Sequence, residues 1–394
     1  MVKRGNERPQ MDTCTAEFAR LSAGLTGLRC DANPIVTFTN PFALASWTMP
    51  VIEFLLIAGA VAALVHALRW RRATGDQSNL VVWICSVLSL LMIEPVAYFP
   101  QWFGVQDVMG LTFVHNQFSI QFLYDRLPLY IVAMYPAYAY LAWVLVQRTG
   151  IFARYHPVVG AASVAFVFHC FYEVVDTVGV QFRWWVWNTD LPTSHPALGV
   201  VPYVNLQAFS IGLPFGLALA TLVVSRWRES GRRRLARDVV VVCVCIWPLQ
   251  FLSSLPSFVI DWLGASVDTG RLVGTWLMIA ACGLLTCWAF AGAYRARRAD
   301  PASVLPIVRR DYFALVSAAV YLIACVVFWT AALPDHLAAV HGVTPTGAPT
   351  GSLPYAAVTF VMSIALTAGA YLASTGNPPA AQAAEPDPRR TVSA

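Results

Sequence analysis

Nine stretches of this chain are apolar for about 20 residues or more, and they fix most of what it can fold into. They run over about 43–68, 80–99, 128–147, 158–181, 203–225, 239–263, 272–294, 312–333 and 355–374. A hydrocarbon core ~30 Å thick takes ~20 helical residues to cross. No water is available there to satisfy backbone N–H and C=O groups, and a helix satisfies its own. The expected fold class is therefore all-α: a polytopic membrane helix bundle of about nine transmembrane helices. Charged residues make up 12% of the chain, about half the share in soluble domains. A soluble globular enzyme is excluded. The net charge of +5 does not point to nucleic acid, because the basic side chains lie in loops beside the membrane; no nucleic-acid partner is expected.

The loops set an orientation. With the N-terminus outside, the inner loops carry sixteen arginines: Arg69, Arg71, Arg72, Arg148, Arg154, Arg226, Arg228, Arg232, Arg233, Arg234, Arg237, Arg295, Arg297, Arg298, Arg309 and Arg310. The outer loops between spans carry three, Arg126, Arg183 and Arg271. Basic residues gather on the cytoplasmic side, so the C-terminus is expected to be cytoplasmic. Lys3, Arg4, Arg8, Arg20 and Arg29 of the N-terminal tail run against this bias. No cleavable signal peptide is legible before residue 43, which leaves the first span as the targeting signal. The expected location is the cell membrane, of the bacterial cytoplasmic type.

Residues 1–42 read as an external polar segment, 43–374 as the bundle and 375–394 as a disordered cytoplasmic tail rich in proline and alanine. Cys14 and Cys30 share the external segment, where a disulfide can form. The other seven cysteines lie in spans and read as small packing residues.

Inside the spans, Glu94, His169, Glu173 and Asp176 stand out. A charge at membrane depth costs at least ~2.5–3.5 kcal/mol. The last three fall in VAFVFHCFYEVVDTVGV at spacings of four and three residues, which puts them on one helix face. Glu53 in the first span and Tyr203, Asn205 and Gln207 in the fifth fall at similar depth, between the midplane and the outer face. One outward-facing polar cavity built from several helices is expected in 43–225, with 239–374 as scaffold. A carboxyl group buried among apolar atoms keeps its proton and can act as a general acid. Glu173 is the expected acid–base residue, Asp176 and Glu94 its partners, and His169 an orienter or proton relay. No cofactor and no metal is assigned: His169 and Asp176 are ~10 Å apart along the axis, too far to share one ion, although His169 with Glu173 and Glu94 is a feasible ligand set. His66, near the inner end of its span, reads as snorkelling or capping.

Aromatic residues surround this stripe. Tyr130, Tyr135 and Tyr138 in the third span are either packing or the lining of a cavity for a large lipophilic ligand. The loop near 182–202 carries Trp184, Trp185 and Trp187, read as an aromatic belt at the headgroups, as an apolar lid over a cavity, or as both at once. The amphiphilic loop near 100–127 either lies on the interface or re-enters the protein. Glu53, Tyr130, Tyr135, Tyr138, Trp184, Trp185, Asn205 and Gln207 are the candidate substrate-binding residues.

The second span ending MIEPVAYFPQW, the Tyr-Pro-bearing third span and the carboxylate-bearing fourth together resemble the avermectin-type spirocyclases, the AveC-like membrane proteins. The resemblance covers roughly residues 85–225. This chain has Glu94 where an Asp before proline is usual, and it has extra C-terminal spans. The resemblance implies closure of a dihydroxy-ketone of a polyketide into a spiroketal; a weaker likeness is to membrane hydratases of carotenoid biosynthesis. Such chemistry needs an acid, a base and a dry pocket, and the partners would be a lipophilic small molecule and membrane lipids. Two other classes fit the residues: a proton-coupled permease, which calls for broken helices, and a partner-binding membrane protein, whose acidic stripe would face another subunit.

Overall fold

The computed structural model describes residues 13–25, 27–40, 42, 46–191, 194–226, 235–300 and 306–372. The tail at 375–394 and the loop arginines Arg228, Arg232, Arg233 and Arg234 lie outside the described residues. Among the described residues, nine helical segments are long and apolar enough to cross a membrane. The chain is an all-α polytopic membrane bundle.

After a short helix α1 (Ala16–Ser22), the crossings are α2 (Thr48–Thr74), α3 (Ser78–Tyr98), α4 (Leu129–Thr149) and α5 (Pro157–Gly179). The fifth crossing starts as a π-helix, Asn205–Gly212, and continues as α6 (Leu213–Arg226). The sixth is broken into α7 (Leu235–Phe251) and α8 (Leu255–Trp262) by a 3-10 turn at Leu252–Ser254. Pro248 and Pro256 flank that break, and each removes a backbone donor. Then come α9 (Val267–Ala299), α10 (Phe313–Leu337) and α11 (Leu353–Leu372). Gly75 and Gly150, at φ 71° and 83°, end α2 and α4 in the left-handed conformation that glycine takes without strain.

The helices are not equivalent. The most apolar window of α4 is 89% buried inside the protein and that of α5 83%, against 28% for the α7–α8 crossing. The third, fourth and fifth crossings are therefore the core, and the others ring them. The ring turns Val240, Val244, Leu284, Ile323 and Val361 outward, as a lipid-facing surface does. Helices α6 and α7 touch backbone to backbone: a Cβ on Gly216 would sit 2.7 Å from the Ile246 carbonyl oxygen.

One end of the bundle carries a folded cap. Strand β1 (Val36–Phe38) pairs antiparallel with β3 (Ile120–Phe122), which pairs with β4 (Leu127–Pro128); β2 (Phe113–His115) pairs with β5 (Trp185–Trp187). Cys14 and Cys30 form a disulfide. The Arg126 guanidinium lies 2.9 Å from the centre of the Phe18 ring and donates to the Thr13 carbonyl. Glu17 accepts from Asn188 at 2.6 Å and Gln106 at 3.1 Å, so α1 ties both loops together.

Three sequence readings are settled here. The loop at 100–127 re-enters the protein, with residues 111–117 all buried. Trp184, Trp185 and Trp187 are 0%, 3% and 6% exposed, so they are an apolar lid rather than a belt at the headgroups. His66 neither snorkels nor caps: its ring nitrogens sit 2.7 Å from Tyr140 Oη and 3.0 Å from Asp311 Oδ2.

Candidate functional site

Helix α5 is buried on every side from residue 160 to 179. Its polar stripe therefore faces neighbouring helices of the same chain, not lipid. His169, Glu173 and Asp176 are 1%, 0% and 1% exposed, and Glu94 on α3 is 2% exposed.

The stripe has a lower and an upper part. In the lower part, His169 Nδ1 lies 2.7 Å from Ser210 Oγ and His169 Nε2 lies 2.7 Å from Tyr355 Oη. Glu173 Oε1 is 3.6 Å from His169 Nδ1, one turn along the helix. Neither carboxyl oxygen of Glu173 makes a well-formed hydrogen bond to the described residues. In the upper part, Asn205 Nδ2 donates to Asp176 Oδ2 at 2.8 Å, and Tyr172 Oη donates to Asn205 Oδ1 at 3.2 Å. Asp176 Oδ1 and Glu94 Oε2 have no partner among the described residues.

Glu94 and Asp176 come from different helices and line one cavity of about 20 Å³ with Tyr135, Tyr172, His115, Trp185, Trp187 and Phe209. A cavity of ~10–15 Å³ by this measure holds one water, so the space between the two carboxyl groups fits about one. Tyr135 and Tyr172 each lie within electrostatic reach of Glu94, Glu173 and Asp176. The cap closes the cavity from above. His115 Nδ1 lies 2.6 Å from Tyr98 Oη, and Tyr98 sits one helical turn after Glu94. Burial pushes the His115 imidazole down to about 3, so the lid presents a neutral ring at any ordinary pH.

The π-helix explains how the fifth crossing reaches both parts. Asn205 and Ser210 are five residues apart. On an α-helix they would point to different sides; the i→i+5 winding of a π-helix stacks them on one. Both then face α5, one on Asp176 and the other on His169.

The candidates from the sequence divide accordingly. Glu94, Asp176, Tyr135, Trp185 and Asn205 meet at the cavity or directly behind it, and Glu173 and His169 adjoin it. The others lie elsewhere. Glu53 accepts from the Ser119 hydroxyl beneath the β1–β3 sheet. Tyr130 Oη donates to the carbonyls of Asn116 and Trp184, at 2.9 and 2.8 Å, and so pins the lid loops. Trp184 donates to Thr48 Oγ1 at 2.9 Å. Tyr138 packs on Tyr321, ring centres 4.7 Å apart. Gln207 donates to Ser257 Oγ at 2.6 Å, toward α8.

Tyr98, His115, Tyr172, Ser210 and Tyr355 were missed. Tyr98 and Tyr172 stand four residues from Glu94 and Asp176, a spacing that was legible. Tyr355 gave no signal, since it comes from α11 in the stretch read as scaffold. No protein-family profile, curated protein or solved structure matches this chain.

Proposed function

We propose that this chain is an integral membrane acid–base enzyme of the cell membrane that acts on a lipophilic polyketide- or isoprenoid-like substrate. Its reaction adds or removes water, as a spiroketal cyclase, dehydratase or hydratase does. One observation carries the reading: two carboxyl groups from separate helices line a buried, water-sized cavity, with a third carboxyl one turn away and oxygens without partners among the described residues. An unpaired buried polar atom costs about 1–3 kcal/mol, so such atoms are retained where they do something.

In spiroketal closure, a protonated carboxyl group gives its proton to the hemiketal hydroxyl. The C–O bond breaks and water leaves. The second hydroxyl attacks the resulting oxocarbenium carbon, and its proton passes to the partner carboxylate. The balance is one dihydroxy-ketone to one spiroketal and one water. Asp176 and Glu94 face the cavity and take the acid and base roles. Glu173, beside His169, Ser210 and Tyr355, is the proton store behind them. Substrate has to part the β2–β5 lid from the helices before it can enter.

Proton-coupled transport is the second reading, and the π-wound fifth crossing and the broken sixth favour it, since transporters place irregular helices at their sites. A role in subunit contact has less support, because the stripe faces the chain's own bundle.

The test is deletion in the native host, complementation with wild type or Asp176→Asn, and mass spectrometry of lipophilic extracts from cells and medium. The enzyme reading expects a metabolite pair differing by one water, with the product lost in the deletion and in Asp176→Asn. Unchanged masses with a shifted cell-to-medium distribution would replace it with transport. No change in either would refute both.

A further inference from the structure

At the end of the bundle opposite the cap, α2 and the start of α10 enclose a groove of about 790 Å³. Ligand pockets span ~300–1,000 Å³. The groove is graded along its length. Ala62 and Val65 on α2 face Val316 on α10 in its deeper, apolar part, and Arg69 and Arg310 stand at its mouth. Both arginines are exposed, and no carboxylate pairs with either among the described residues.

Among the described residues, the one acid that lines the groove is already engaged. Asp311 Oδ2 is 3.0 Å from His66 Nε2 and 3.7 Å from Arg148, and Asp311 Oδ1 accepts from the Phe313 N–H at 2.9 Å. Among the described residues, the mouth therefore keeps a positive charge that no carboxylate balances. Trp70 lines the same groove; it is 8% exposed, and its indole N–H has no partner among the described residues. A buried donor of this kind is ordinarily paired.

We propose that this groove binds one anionic phospholipid. The phosphate lies between Arg69 and Arg310, and an acyl chain runs along Ala62, Val65 and Val316. Charge complementarity selects the head: basic pockets between membrane helices hold anionic headgroups, each basic side chain adding to the attraction. The apolar wall selects a lipid over a soluble phosphate, which would gain nothing from it. The site shares no residue with the carboxyl cluster and stands whether or not the enzyme reading does.

The test is native mass spectrometry of the full chain in detergent, titrated with phosphatidylglycerol, phosphatidylcholine or inorganic phosphate. Wild type is expected to retain one phosphatidylglycerol in preference to phosphatidylcholine, and Arg69→Ala with Arg310→Ala to weaken that binding by about 30-fold. Arg69→Lys with Arg310→Lys is expected to keep most of it. Equal retention of the two lipids, or no loss in the double alanine variant, overturns the proposal. Displacement of the lipid by millimolar inorganic phosphate overturns it too, since the ligand would then be soluble phosphate. Should the double alanine variant not fold, Ala62→Trp and Val316→Trp fill the groove from opposite walls and are expected to block lipid retention; if they do not, the proposal fails.

Discussion

Among the described residues, a buried polar cluster lies at each end of the apolar helices, and the two are built on different terms. At the basic end, both oxygens of Asp311 have partners, and His66 is held on both nitrogens. Asn79 joins Tyr140, Trp143 and Gln147 through bonds of 2.9–3.2 Å. Under the cap, oxygens of Glu94, Glu173 and Asp176 are left without partners among the described residues. Both clusters carry the desolvation penalty of burying polar groups, and both recover part of it in hydrogen bonds. Only the second leaves carboxyl oxygens without partners among the described residues, so the first reads as a clamp and the second as a site.

The carboxyl variants give the largest separation. Asp176→Asn, Glu94→Gln and Glu173→Gln are each expected to lower product formation by about 10²–10⁴-fold. Their melting temperature in detergent should stay level or rise, since an amide is less costly than a carboxylate to bury. A fall in melting temperature matching the fall in product would erase the contrast between the clusters.

Asp311→Ala should do the reverse. Breaking a buried pair costs about 3–5 kcal/mol, to be read from denaturant unfolding in detergent. Product formed per folded molecule is expected to stay within about twofold of wild type. A selective loss of product in a fully stable Asp311→Ala protein would show that the basic-end cluster is not merely a clamp.

The lid adds a pH dependence. His115 titrates at about 3 when folded, against 6.5 when free. The unfolded chain therefore binds the extra proton between those values, and stability is lost as pH falls below 6.5. At pH 5 the loss is about 2 kcal/mol. Tyr98, Phe113 and Trp185 pack around the ring; Glu94 and Asp176 line the same cavity, and it is burial that sets the direction. Melting curves at pH 7.5 and pH 5 should show the loss in wild type and a smaller one in His115→Gln; equal losses would remove His115 as the cause. The smallest effect is that of Tyr355→Phe, which takes one hydroxyl from His169 and should lower stability by about 1 kcal/mol. A thermal shift indistinguishable from wild type would mean that the hydroxyl is not held there.

The crossings were legible because hydropathy is local: each stretch declares itself without its neighbours, and the broken sixth still read as one. The Glu94, His169, Glu173 and Asp176 stripe was legible for the same reason, as periodicity within single helices. What the sequence withheld depends on distant partners. Tyr355 reaches His169 across 186 positions of sequence, and nothing near it marks that contact. The lid was half visible, since Trp184, Trp185 and Trp187 were noticed while the pairing of Phe113–His115 with them was not. Tyr130 and Gln207 were misplaced because depth alone does not say which way a side chain points. The π-winding was hidden too, because propensity does not distinguish it from an α-helix.

That winding has a consequence for descent. A π-turn holds one residue more than an α-turn. An ancestor lacking that residue would have the same hydropathy and the same number of crossings, with the side chains that here are Asn205 and Ser210 four positions apart on an ordinary α-helix and still on one face. Gain or loss of one codon between them would therefore keep the contacts to Asp176 and His169 and re-aim only the residues in between. The π-turn is a place where this chain can absorb a change of one residue in length without losing either contact.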